Sequence, residues 1–101
     1  MKNKSKRILK MKNPYPHEKF SKAIYSMATS SATIQERIHN AYIDQIIYVK
    51  VEDMPESVRF QFSSLLDELK DASSLSDEKA SEKACMILYI ANAIESDYFG
   101  R

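Results

Sequence analysis

The chain has 101 residues, of which 44% are hydrophobic and 29% are charged, and its formal net charge is +1. It is too apolar for a disordered protein, and its one glycine and three prolines supply too few turn formers for a many-stranded sheet. The composition therefore predicts an all-α protein: one compact bundle of about four amphipathic helices with short loops, preceded by a basic N-terminal tail.

The N-terminal segment 1–13 carries a charge asymmetry that the net charge conceals. Its charged residues are all basic, namely Lys2, Lys4, Lys6, Arg7, Lys10 and Lys12. Removing these six from 15 basic residues leaves 9 against 14 acids, a charge of −5 on the rest of the chain. We expect a flexible basic tail over 1–13 and a single helical domain over 14–101. Because the lysines interrupt the apolar residues of the tail, we do not expect it to act as a secretory signal.

Two helices are predicted in the first half of the domain. Pro16 suits the first position of a helix, and apolar residues at helical spacing extend that helix to about residue 28. Thr33 and Glu36 form a capping-box pattern in front of a second helix over about 34–48. The β-branched 'IIYVKV' at its end could instead be a strand, but no convincing second strand is present to pair with it.

Two further helices are predicted in the second half. Asp53 and Glu56 repeat the capping pattern, and the third helix is expected to run to about Asp71. Ser76 is expected to cap the fourth helix, which continues to about Ser96. Acidic residues in its first turn meet the positive end of the helix dipole.

Phe60 lies on the polar face of the third helix. At about 100° per residue, the other apolar side chains of this helix form one stripe, and Phe60 projects nearly opposite to it. Because aromatic side chains are favoured interface anchors, we interpret Phe60 as an anchor for a basic partner, within an acidic rim of Glu56, Asp67 and Asp71. The alternatives are a simply exposed or loop-covered phenylalanine, or the basic tail folded back on this face.

The second and fourth helices carry more apolar surface than a small bundle requires. Ile43 and Ile47 fall outside the core arc of the second helix, and residues 84–94 are apolar on every side except at Asn92. We interpret this surplus as a dimer or partner interface, made from Ile43, Ile47, Met86, Tyr89, Ile90 and Ala93. The alternative is that loops or the N-terminal segment cover these residues.

The basic tail also suggests nucleic-acid binding. Six cations without an acid would release counterions from a phosphate backbone and give salt-sensitive, non-specific binding. The tail has no aromatic residue before Tyr15 for stacking on bases and contains no base-reading motif. Nucleic-acid binding is therefore the alternative function rather than the main hypothesis.

Catalytic and metal-binding patterns are sparse. Glu36 and His39 have the Glu-x-x-His spacing of di-iron bundles, but there is one copy, so a complete site would need a dimer. Cys85 is expected to be buried in the core rather than nucleophilic. A single glycine excludes a glycine-rich phosphate loop. We expect no enzyme, no cofactor, no metal and no small-molecule substrate.

These features together favour a non-enzymatic helical protein–protein interaction module. It would either self-associate as a homodimer or dock, as a small accessory, regulatory or inhibitor protein, on a larger partner. One cysteine forms no intramolecular disulfide, and no apolar run is long enough to span a bilayer. We therefore expect a cytoplasmic protein that does not contact membranes.

Overall fold

Four α-helices form between residues 13 and 100, the part of the chain that the computed structural model describes. They are α1 (Tyr15–Thr29), α2 (Ile34–Asp44), α3 (Arg59–Glu68) and α4 (Asp77–Tyr98). Short 3₁₀ segments at Ile46–Tyr48, Val51–Asp53 and Glu56–Val58 connect α2 to α3, and Leu69–Ser74 follows α3. No strand forms within these residues, so 'IIYVKV' is not a strand. The predicted all-α bundle is confirmed.

The longest helix of the bundle is α4, and the directions of the other helices are given relative to it. Its 22 residues span about 33 Å at about 1.5 Å per residue. α1 runs antiparallel to it, because His17 at the start of α1 stacks on Tyr98 at the end of α4 with ring centroids 5.1 Å apart. α3 is also antiparallel, because Glu68 at its end accepts a 2.8 Å hydrogen bond from Lys83 in the first half of α4. α2 runs parallel to α4, because Gln35 at its start donates a 2.7 Å hydrogen bond to Asp77 at the start of α4, and the four helices therefore alternate in direction along the chain.

Two helix starts follow the predicted caps. The Thr33 hydroxyl accepts a hydrogen bond from the Glu36 amide at 3.1 Å, and the Ser76 hydroxyl accepts one from the Lys79 amide at the same distance. Each satisfies an amide that has no partner within its helix.

The predicted cap at Asp53 and Glu56 is wrong. Met54 is extended, with φ −86° and ψ 153°, because the ring of Pro55 disfavours helical geometry in the preceding residue. A helix therefore cannot begin at Asp53. The chain enters α3 through the 3₁₀ turn Glu56–Val58 instead, and Val58 caps α3 without a side-chain hydrogen bond.

The second and third helices are shorter than the sequence indicated. α2 ends at Asp44, and Gln45 leaves helical geometry with φ −132° and ψ −59°. The next residues include β-branched Ile46, Ile47 and Val49, which weaken a helix. α3 gives way to a 3₁₀ segment at Leu69, which is kinked at Asp71.

The core lies where the apolar stripes of the four helices meet. Along residues 13–100 no charged or polar side chain is buried. The large side chains that are completely enclosed are Phe20, Phe62, Ile38, Ile46, Met54, Leu65, Leu69, Ile87, Ile90 and Val58. Within the same residues, no helix has the length and apolar character needed to cross a membrane.

Candidate protein-interaction surfaces

Phe60 projects from the first turn of α3 into solvent. Its side chain is 81% exposed, whereas Phe62, two residues later, is completely buried. The predicted rim residues Glu56, Asp67 and Asp71 are all exposed, but only Asp67 lies on the same helix as Phe60, since α3 ends at Glu68. Asp67 lies 3.4 Å from the Lys70 ammonium, and because both side chains are mostly in water this pair contributes little to stability. The first turn of α3 therefore presents an exposed aromatic ring.

Ile43 and Ile47 also reach the surface, with 40% and 45% of their side chains exposed. They do not lie on one regular α-helix, because α2 ends between them and Ile47 belongs to the 3₁₀ segment. Tyr48, which the sequence pattern did not single out, is exposed beside Ile47. The Lys19 ammonium lies 5.2 Å from the centre of the Tyr48 ring, a cation–π contact that ties this surface to α1.

Ile90 does not belong to the predicted contact surface on α4. Ile90 is completely buried, and Met86 and Ala93 are half-buried against the core. Only Tyr89 is well exposed, at 55%. The core stripe of α4 repeats at helical spacing through Ala80, Ile87, Ile90 and Ile94.

Cys85 is exposed rather than buried. It stands two residues before Ile87 and five before Ile90, which turns it away from the core stripe of α4. The expectation that it packs in the core is therefore wrong.

Two surface depressions that the sequence did not predict lie beside α4. The Ala84 depression has a volume of about 220 Å³, lies between α1, α2 and α4, and is almost entirely apolar; it is lined by Ile24, Met27, Ala28, Ile34, Arg37, Ile38, Ala84 and Leu88. The Ala91 depression has a volume of about 240 Å³ and lies between α1 and α4; it is lined by His17, Phe20, Ser21, Ile24, Leu88, Ala91, Asn92, Ile94 and Glu95. The two depressions share Ile24 and Leu88 and are therefore adjacent.

Glu36 and His39, the pair with Glu-x-x-His spacing, both lie on α2. Glu36 is exposed, and His39 is half-buried with an Nδ1 atom that has no hydrogen-bond partner. Between residues 13 and 100, no group of three or more His, Cys, Asp or Glu side chains is placed to hold a metal ion.

The candidate nucleic-acid contacts in the basic tail, Lys2 to Lys12, lie outside the described residues. The structure therefore describes the acidic domain to which the tail is attached. The chain matches no protein-family model, no curated protein and no solved structure.

Proposed function

We propose that this protein is a non-enzymatic interaction module that binds another protein through the Phe60 surface. The proposal is based on the exposure of Phe60. Burying a phenylalanine side chain contributes about 1.5–3 kcal/mol, and here that contribution is left unused by the fold. A partner with an apolar pocket for the ring would recover it.

The acidic residues of this chain indicate the charge of the expected partner. Glu56, Asp67 and Asp71 are exposed, the sequence pattern puts them on the side of Phe60, and the residues after the tail sum to −5. Acidic groups at the rim of an interface speed encounter with a basic surface and disfavour an acidic one. The expected partner therefore presents basic side chains around an apolar pocket. A small chain with one such anchor suits an accessory, regulatory or inhibitor protein that docks on a larger one.

A matched pair of variants tests this proposal. Phe60→Asp removes the ring and adds one negative charge, whereas Ser63→Asp adds the same charge at a nearby exposed position of α3. Each variant and the wild type is immobilised and exposed to extract from the source cells, and bound proteins are compared by mass spectrometry. A protein held by the wild type and by Ser63→Asp, but lost with Phe60→Asp, supports the proposal. Equal retention by all three, or no retained protein, overturns it.

Nucleic-acid binding through the basic tail is the alternative function, favoured by the +6 charge of residues 1–13. Deleting these residues separates the two functions. Anisotropy of a fluorescent DNA duplex measures the alternative, which requires binding that weakens with salt and disappears with the deletion. The Phe60 proposal requires that capture of the protein partner survive the same deletion.

A further inference from the structure

The outward side of α1 carries both tyrosines and lysines. At about 100° per residue, four side chains fall within an arc of about 120° that faces away from the buried residues of this helix: Tyr15, Lys19, Lys22 and Tyr25. Tyr25 is 71% exposed, and Lys22 is exposed as well. Glu18 lies in the same arc and is the one acid of α1. Basic side chains therefore outnumber acidic ones on this side of the helix.

Tyr48 adds a third aromatic ring to the same surface. It belongs to the 3₁₀ segment Ile46–Tyr48, which packs against α1. The Lys19 ammonium lies 5.5 Å from the centre of the Tyr15 ring and 5.2 Å from the centre of the Tyr48 ring, so it joins two rings from different parts of the chain. Tyr15 is 38% exposed and Tyr48 is 58% exposed, which leaves both rings accessible to a ligand. These side chains together form the tyrosine–lysine face: Tyr15, Lys19, Lys22, Tyr25 and Tyr48.

Basic charge is concentrated in the part of the chain that leads into this face. Residues 1–29 contain eight basic residues and one acid, whereas residues 30–101 contain seven basic residues and 13 acids. Lys12, the last cation of the tail, precedes Tyr15 by three residues, and Tyr15 is the first residue of α1. The charge of the tail is therefore joined covalently to the end of α1 that bears the tyrosine–lysine face. A ligand that matches both carries repeated negative charge.

We propose that the tyrosine–lysine face binds single-stranded nucleic acid, with bases stacked on the tyrosine rings and phosphates beside the lysines. A single strand combines the two features that this face matches, which are a negative backbone and flat bases free to stack on aromatic rings. The bases of a duplex are already stacked on one another and do not offer their faces. Tyr15 and Tyr25 are about 15 Å apart along α1, enough for about four or five nucleotides at about 3.4 Å each.

This proposal goes beyond the Phe60 surface, because it assigns a second ligand to a different face of the domain. It also differs from binding by the basic tail alone. The tail has no aromatic residue before Tyr15, so it would attract phosphates without distinguishing a single strand by its bases. Because a duplex has the higher charge density, binding by charge alone would favour the duplex. Preference for a single strand is therefore the signature of the tyrosine–lysine face.

Fluorescence anisotropy of the full chain at low salt tests this preference. The probes are labelled oligodeoxythymidine and oligouridine of about 12 nucleotides, a typical site size, and a DNA duplex of the same length. We expect at least one of the single strands to bind about threefold or more tightly than the duplex, since only a single strand can stack on the rings. A chain that binds neither single strand, or that binds the duplex at least as tightly, overturns the proposal. An acidic protein surface would then be the better match for this face.

A matched pair of tyrosine variants tests the role of stacking. Tyr48→Ala removes one ring of the face and is expected to raise the dissociation constant for the single strand at least about fivefold. Tyr89→Ala is the control, because Tyr89 is similarly exposed, at 55%, but lies on α4 outside the face. Its dissociation constant should remain that of the wild type. Equal effects of the two changes overturn the proposal. So does binding that is lost with residues 1–13 but insensitive to Tyr48→Ala, which would assign the nucleic acid to the tail alone.

A lysine variant tests where the phosphates lie and remains available if Tyr48→Ala fails to fold. Lys22→Ala is expected to make the slope of log affinity against log salt shallower by about 0.7, the value for one phosphate contact on a single strand. Lys79→Ala removes an exposed cation from the start of α4 and is expected to leave the slope unchanged. Equal slopes for these two variants overturn the placement of phosphates on the tyrosine–lysine face. Because this face does not include Phe60, its failure leaves the capture experiment above unaffected.

Discussion

Phe20 of α1 packs against Phe62 of α3 with ring centroids 5.9 Å apart and ring planes inclined by 57°. Both rings are enclosed in the core, and the contact joins the first and third helices across the bundle. Phe60 has the same chemistry and lies only two residues before Phe62, yet it projects into water. The two phenylalanines of α3 therefore have different environments: Phe62 packs in the core and Phe60 faces solvent.

The first prediction separates these roles by stability. Phe62→Ala removes a buried ring and leaves a cavity, so we expect it to lower the free energy of unfolding by about 3–5 kcal/mol. Phe60→Ala removes an exposed ring and is expected to change that free energy by less than about 0.5 kcal/mol. Urea denaturation followed by circular dichroism measures both. Similar losses for the two variants would show that the faces of α3 are assigned incorrectly.

The second prediction concerns helix caps. Ser76→Ala removes the acceptor for the Lys79 amide at the start of α4 and is expected to cost about 1 kcal/mol. Asp53→Ala is the control, because Asp53 occupied a cap position in the sequence pattern but caps no helix in the structure. Its cost should lie within about 0.5 kcal/mol of zero. Thermal melts of both variants against the wild type give the comparison.

The wrongly predicted cap at Asp53 had a visible cause in the sequence. Capping residues at the right spacing were present, but Pro55 lies between them and forces Met54 into extended geometry. The stop of α2 at Asp44 is a similar case, since the β-branched run that follows it was visible in the sequence. Helix existence and order were predictable from periodicity, whereas these boundaries depended on local backbone geometry.

The outward face of a helix could be predicted only where the polar residues define it. On α3, serines and acids surround Phe60, so its exposure followed from the pattern. On α4, the run from Ala84 to Ile94 is apolar on nearly every side, and no polar stripe fixes its rotation. Ile90 was therefore wrongly placed on the surface, and Cys85 wrongly in the core. The depressions beside α4 could not be predicted from the rotation of α4 alone, because they also depend on which helices pack against it.

The third prediction follows from the position of Cys85. Its side chain is exposed on α4, so the thiol of the folded protein should react stoichiometrically with a small aromatic disulfide reagent. We expect the rate in native buffer to be within about threefold of the rate in denaturant, since no packing needs to open first. Absorbance of the released thiolate measures both rates. A native rate lower by orders of magnitude would mean that Cys85 is covered, by a second copy or by the N-terminal segment.

Two arginines bridge the turns that precede their own helices. Arg37 donates from Nε to the Ala32 carbonyl at 3.0 Å, and Arg59 donates from Nε to the Met54 carbonyl at 2.9 Å, each five residues back along the chain. Arg59 also donates from a terminal nitrogen to the Glu52 carbonyl at 3.2 Å. These two hydrogen bonds of Arg59 join the connection between α2 and α3 to the start of α3.

The fourth prediction tests these two hydrogen bonds of Arg59. Arg59→Lys keeps the charge but cannot reach both carbonyls with the same planar geometry, so we expect a loss of about 1–2 kcal/mol in stability. The loss should be local: hydrogen exchange at the Asp53 and Met54 amides, which bond to the Lys50 and Val51 carbonyls, should accelerate more than exchange in α4. Lys50→Ala removes an exposed cation from the same connection and is expected to leave those amides protected. Unchanged exchange in Arg59→Lys would show that backbone turns and burial of Met54 hold the connection without the arginine.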